Sequence, residues 1–143
     1  MTPDVNVLVA ASRTDHPHHG RAHSWLTEAL AAPAPGAPLV LLPMVTSGFM
    51  RVVTNRKVFP DPTPPARAVA FVRALLDYGA VMGSLGTEWP ILARLCEDAG
   101  IVGGDVTDAW IAAAVQANAE HLVSFDRGFR RFLKNRELTV LRR

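Results

Sequence analysis

Asp105 and Asp108 stand three residues apart at the mouth of an alanine-rich apolar segment that runs on through Ala109-Trp110-Ile111-Ala112-Ala113-Ala114. On a helix that spacing places both carboxylates on one face, where they can address the same small volume. A purely structural role fits as well: an aspartate N-cap followed by an acid at the third helical position approximates a capping box and complements the helix dipole. Two more aspartates bear on the choice, Asp4 in front of Val5–Ala11 and Asp126 directly after His121–Phe125. Asp126 before Arg-Gly also suits a turn, and Asp4 also suits a solvated terminal acid. Three or four carboxylates in one polar cleft raise each other's pKa values unless a cation joins them. The matching cation is a hard, oxygen-seeking ion such as Mg²⁺ or Mn²⁺. One or two such ions can polarise a phosphodiester, activate water and stabilise a leaving oxygen.

The elements that would bring these acids together follow from patterning. Val5–Ala11 is an apolar run whose length does not separate strand from helix, and with only three residues before Asp4 any first strand must be very short. Read as extended chain, Asn6 falls on the same side as Asp4. A helix is expected over Gly20–Ala32, with Ala22, Trp25, Leu26, Ala29 and Leu30 on one face, ended by the proline-rich connector Ala32–Pro38. Leu39–Leu42 reads as a buried strand. Pro43 suits the first turn of a helix through Val53, which Gly48 weakens. A proline-rich loop over Val58–Pro65 precedes an amphipathic helix, Ala66–Tyr78, closed by Gly79. Val81-Met82 is a weak strand. Thr87 is expected to cap a helix with Pro90 in its first turn, Leu92, Leu95 and Cys96 inward, and Gly100 after it.

The acid-bearing helix then runs to about Asn118. His121–Phe125 is a strand, followed by a short basic helix and a last strand, Leu138–Leu141. Strands alternating with helices imply a single α/β domain over residues 1–143 with a largely parallel sheet. In such sheets ligands collect beyond the carboxyl ends of the strands, at the switch point. Asp126 belongs at that edge, and the helix start holding Asp105 and Asp108 can face it.

Composition narrows the class. The 143 residues are 49% hydrophobic, which suits a packed globular domain. No apolar run is long enough to span a bilayer, and the N-terminus lacks a signal-peptide pattern. Cys96 is the only cysteine, so an internal disulfide or cysteine-rich zinc site is excluded and a cytoplasmic location fits. The net charge is only +2, but Arg127, Arg130, Arg131, Lys134, Arg136, Arg142 and Arg143 crowd the last twenty residues, and Arg51, Arg56 and Lys57 form a second group. Such clusters, Arg51, Arg56, Arg127 and Arg130 among them, are compatible with phosphate binding and are also what a solvated surface commonly looks like.

Other motifs carry less. If a helix began near His19, His19 and His23 would share a face and could hold a transition metal, but no third ligand is fixed, and a polar loop leading into a helix accounts for His16, His18, His19 and His23. Ser84 and Ser124 lack a nucleophile elbow. Gly83–Gly86 and Gly103-Gly104 lack a P-loop lysine and a dinucleotide fingerprint.

Several stretches together carry a family resemblance. Pro3-Asp4-Val5-Asn6-Val7-Leu8-Val9 resembles the opening motif of PIN-domain proteins, and Val106–Ala113 resembles their central acid-plus-alanine helix. Leu122-Val123-Ser124-Phe125-Asp126-Arg127-Gly128-Phe129 resembles their late strand and acid-Gly-Phe turn. Gly48–Asn55 and the helix from Trp89 to Gly100 resemble the VapC toxin branch. The resemblance spans nearly the whole chain in order. It implies a three-layer α/β/α sandwich and a Mg²⁺- or Mn²⁺-dependent endoribonuclease toxin that cleaves structured RNA. It also implies a VapB-like antitoxin partner whose tail blocks the site, and homodimerisation.

On that resemblance the family's acids fall on Asp4, Asp108 and Asp126, while Asn6 and Ser124 match positions that orient ligands or substrate by hydrogen bonds. Two departures stand out. The family's glutamate near Ser47 is missing, and Asp105 is a candidate to restore its charge. The lead before Asp4 is also shorter than usual, consistent with a frayed first strand or a start site assigned too late. The rival functional reading is a catalytically weakened PIN fold that binds RNA or antitoxin without efficient cleavage; a receiver-like acid-pocket protein is more distant.

Overall fold

Asp4 is the residue at which extended chain becomes helix. Strand β1 covers only Thr2–Pro3, and helix α1 runs over Val5–Ser12. The apolar run Val5–Ala11 is therefore helical, and Asn6 stands on α1, so its relation to Asp4 is that of helix to cap and not of alternate strand positions. The side chain of Asp4 accepts a hydrogen bond from Val5 N at 2.6 Å, and its carbonyl accepts from Val7 N and Leu8 N. Val7 to Ala11 are buried, because α1 lies between sheet and helices and has no solvent face to keep polar.

The computed structural model describes residues 1–32 and 37–142. Most of the connector expected over Ala32–Pro38 lies outside the described residues. The remaining elements are α2 (His19–Ala31), β2 (Val40–Leu41), α3 (Pro43–Val53), α4 (Pro65–Asp77), β3 (Val81–Met82), α5 (Trp89–Ala99), α6 (Asp105–Ala117), β4 (Leu122–Ser124), a 3₁₀ turn (Arg127–Arg131) and β5 (Leu138–Val140). Pro43 takes the first position of α3, where its missing N–H costs nothing. Gly100 ends α5 in the left-handed region at φ 58°, a conformation open to glycine without penalty.

Two helix starts differ from expectation. Glu88, not Thr87, precedes α5, and its carboxylate accepts from Gly86 N at 2.7 Å and from the Trp110 indole at 3.1 Å. That carboxylate is spent on a neighbouring loop and on α6, so it buries with both oxygens satisfied. At α6 the cap is Gly104, whose side chain can offer nothing, and Asp105 is the first helical residue. The capping-box arrangement of Asp105 and Asp108 is therefore not formed.

All strand pairs are parallel: β1 lies against β4, β4 against β5, and β2 against β3. A backbone bond from Val40 N to Met1 O, 2.8 Å long, joins the two pieces, giving the lateral order β3-β2-β1-β4-β5. From β1 the chain steps outward through β2 to β3, then crosses back to β4 and β5 on the other side. Right-handed crossovers put the helices of these two halves on opposite faces, which makes the three-layer α/β/α sandwich. Accordingly α1 packs on α2 and α3, and α5 packs on α6. Within α6, Ala109, Ala112, Ala113 and Ala114 are fully buried, and their small side chains let the helix close onto the sheet.

Close approach also explains Gly48. A Cβ there would stand 2.8 Å from Val5 Cγ2, so α1 and α3 touch at a point where only hydrogen fits. The branched Val5 side chain, held on a helix, has little room to yield. Gly48→Val is expected to destabilise the fold by about 1–3 kcal/mol, read as a lowered urea midpoint at unchanged slope; an unchanged midpoint would show that the helices separate freely.

Candidate acid cleft at the switch point

Strand order reverses between β1 and β4, and the residues following those two strands are Asp4 and Asp126. Ser124, the last residue of β4, is fully buried between them. Its hydroxyl donates to Asp4 Oδ2 at 2.6 Å and accepts from Asp126 N at 2.9 Å and from Asn6 Nδ2 at 3.0 Å. One donor and two acceptors exhaust what a hydroxyl can offer. Asn6 completes the brace, because its Oδ1 accepts from Phe125 N at 3.2 Å. Asp4 N meanwhile donates to Val123 O, so Asp4 is held from the sheet, the helix and the serine at once.

Asp4 is buried, and burial is the main force that raises its pKa, to about 6. The hydrogen bonds from Ser124 and Val5 N oppose that rise, while the charges of Asp108 and Asp126 add to it. Asp108, half-buried on the first turn of α6, is also raised, first by burial and then by Asp126. Asp4, Asp108 and Asp126 are thus close enough for their charges to be felt mutually. Asp126 is exposed, and its Oδ1 accepts from Gly128 N at 2.6 Å, which fixes the start of the 3₁₀ turn.

Arg131, from the end of that turn, answers the acids. Its guanidinium bonds Asp105 Oδ2 at 2.8 Å and lies 3.6 Å from Asp108 Oδ2. This bond holds the Asp105 carboxyl below its ordinary pKa, and Asp105 stays on the exposed rim. Arg131 belongs to the basic run in the sequence, but nothing in linear spacing singles it out; five residues after Asp126, only a tight turn brings it back to α6. Among the described residues no group of three or more His, Cys, Asp or Glu side chains stands at ligating distance of one point.

Ser47 is exposed on α3 and, with Arg51, lines a cavity of about 360 Å³ that Thr107 and Trp110 of α6 share. Arg127 lines a larger cavity beside Asp126, together with Asn6, His16 and His18. Arg56 and Arg130 are exposed. His19 and His23 face each other with ring centroids 5.3 Å apart, but His19 Nδ1 is engaged with Ala10 O at 3.0 Å. Their pairing is that of a helix start braced on α1.

The raised pKa of Asp4 has a direct thermodynamic reading. Unfolded, this carboxyl releases its proton near 3.8; folded, near 6. Between those values the folded state holds a proton that the unfolded state has lost, so stability falls as pH rises, by up to about 3 kcal/mol from this group. Urea unfolding of metal-free protein from about pH 4 to about pH 7 is expected to show a shallower decline in Asp4→Asn than in wild type. Identical declines would remove Asp4 as the source.

A sequence model of the PIN domain matches residues 1–134. Ribonuclease VapC31 of Mycobacterium tuberculosis is 36% identical over 137 residues, covering 94% of both chains. Ribonuclease VapC43 of the same organism is 42% identical over 135 residues, covering 93% of this chain and 90% of its own. VapC ribonuclease Mb2897 of Mycobacterium bovis matches to the same extent, 42% over 135 residues. The match takes in both halves of the sheet, the acid helix and the turn that carries Arg131, and by that extent the chain belongs to the PIN domain family.

Proposed function

We propose that this chain is an endoribonuclease and the toxin of a toxin–antitoxin pair, a single domain over residues 1–143 acting in the cytoplasm on structured RNA. The observation that carries the reading is that Asp4, Asp108 and Asp126 stand within reach of one another's charge at the switch point, around a buried, raised carboxyl, though not at ligating distance of one point. Similarity over nearly the whole chain to relatives named as ribonucleases supports it.

The donor set fits Mg²⁺ or Mn²⁺, one ion or two: every candidate is a carboxylate oxygen, and burial, with the repulsion among the acids added to it, raises Asp4 and Asp108 in a way that a dication would relieve. Asp4, Asp108 and Asp126 would hold it. Bound there, the ion supplies a Lewis acid for a phosphoryl oxygen and makes water nucleophilic at neutral pH. Ser124 and Asn6 fix the direction of Asp4 and the backbone on which Asp126 stands. Arg127, in the cavity beside Asp126, and Arg51, in the cavity shared with Thr107 and Trp110, would meet phosphates of the RNA. Asp105 reaches the acids only by giving up Arg131, so its membership in the metal set rests on that exchange.

A VapB-like antitoxin and a second copy of this chain are the proposed protein partners. The exposed apolar residues Val81, Met82, Leu85, Trp89 and Val102 support a surface of that kind. A catalytically weakened module that binds RNA or antitoxin is the second reading, favoured by the absence of an acid at Ser47 and by the guanidinium already beside Asp108.

Purified protein on structured RNA with Mg²⁺, Mn²⁺ or EDTA separates these readings. Cleavage is expected to need the metal and to fall in Asp4→Asn and Asp108→Asn by more than the roughly 10–100-fold typical of losing a partner of a metal ligand. Ser124→Ala is expected within that smaller range. Cleavage indifferent to EDTA and to both aspartate substitutions would end the metal mechanism, and RNA binding without cleavage would favour the second reading.

The Arg131 contact yields a separate expectation. By titration calorimetry, Arg131→Gln is expected to bind Mn²⁺ several-fold more tightly, since the competing cation is gone. In Asp105→Asn, unchanged metal affinity would leave Asp105 as the anchor of Arg131 and nothing more.

A further inference from the structure

A cavity of about 960 Å³ opens directly beside Asp126. One wall is aromatic: the His18 ring stacks on Phe125, with centroids 5.0 Å apart and planes 28° from parallel, and His16 stands 5.6 Å from His18. The rim is cationic, with Arg127 and Arg142. We propose that His18, backed by Phe125 and flanked by His16, is a stacking platform for one unpaired nucleobase of an RNA substrate, with Arg127 and Arg142 on the adjoining phosphates. This rests on the ribonuclease reading and adds to it a base-binding subsite next to the acid cleft.

The platform is built before any ligand arrives. Phe125 follows β4, a strand paired on both sides, and is itself buried, so the surface under His18 is rigid. The segment that carries the two histidines is pinned at both ends. His16 N donates to Arg13 O, and His19 N donates to His16 O. The Arg13 guanidinium lies 4.0 Å over the Phe59 ring and bonds Thr63 and Asp15. His18 N donates to His16 Nδ1 at 3.1 Å, which requires that nitrogen to be unprotonated and leaves Nε2 as the N–H of a neutral ring. Burial, and then the neighbouring His18, hold His16 below its ordinary pKa of 6.5, in keeping with that form.

A flat ring on a rigid support beside guanidinium groups is the combination that binds unstacked bases: each base has a π-face, and the phosphates supply the charge. A metal role for His16 and His18 is disfavoured by the same geometry, because the Nδ1 lone pair of His16 is already engaged by a backbone N–H.

The test is equilibrium binding of short fluorescein-labelled single-stranded RNA in EDTA, where nothing is cut. His18→Leu is expected to weaken binding about tenfold, the scale of one base–aromatic stack. His18→Phe, which keeps a ring, is expected to stay within about twofold of wild type. An RNA with one abasic position is expected to erase the difference between wild type and His18→Leu when that position occupies the platform. Arg127→Gln and Arg142→Gln are each expected to weaken binding and to reduce the salt dependence by about 0.7 in log–log slope. Thermal melts by circular dichroism confirm that each variant is folded.

Wild-type affinity in His18→Leu, or equal losses in the folded leucine and phenylalanine variants, would overturn the proposal, as would the absence of any RNA binding by wild type. Cleavage by wild type, assayed separately with Mn²⁺, keeps the two readings apart. Cutting with no role for His18 leaves the nuclease without this subsite, and His18-dependent binding without cutting leaves the subsite without the nuclease.

Discussion

A single buried hydroxyl organises the working edge of this protein. Ser124 Oγ joins the end of β4 to the cap of α1, to Asn6 on that helix and to the residue that caps the following turn, using all three of its hydrogen-bonding positions. Asp4 can remain buried because that hydroxyl and Val5 N face it. Without such partners, a carboxylate in this position would carry the full cost of desolvation. The geometry also explains the choice of serine. A threonine methyl would need space inside a fully buried site, and an alanine would leave an acid, an amide and a backbone N–H without their common partner.

The fold serves this edge by topology more than by extent of sheet. Among the described residues no strand exceeds three residues, yet the strand order places β1 and β4 side by side at the reversal point. The sheet is thus a short rigid bar. The helices packed around it provide most of the core, and the acids are delivered by the first residues after the strands and by the start of α6. Burial first, and then repulsion among those acids, raises Asp4 and Asp108, and the Arg131 guanidinium beside Asp108 offsets part of the charge.

Much of this was legible in residue order. Helix stops at Gly79 and Gly100, the proline start of α3 and the parallel α/β class follow from local rules that tertiary packing did not override. Local rules failed where a distant partner decides the conformation. Val5–Ala11 is equally apolar as strand or helix, and only the Asp4 cap with the sheet bond to Val123 settles where extended chain stops. Glu88 displaces Thr87 at the start of α5 because Trp110, on another helix, claims its carboxylate. Asp105 is drawn from capping to the rim by Arg131. The histidines stood out in the sequence, but Phe125, the surface on which His18 rests, lies more than a hundred residues away and carries no signal pointing back to them.

That separation in sequence has a temporal meaning. Ser124 and Asp4 are 120 residues apart, and Asp4 has no buried partner on the serine side until β4 has been made. Pairings of such long range form late, after loop closure over most of the domain. During translation the chain therefore emerges with its first acid exposed and its cleft unassembled. The acid edge comes into being only as the strand beside it is supplied, so the parts list of the site sets a delay between synthesis and competence.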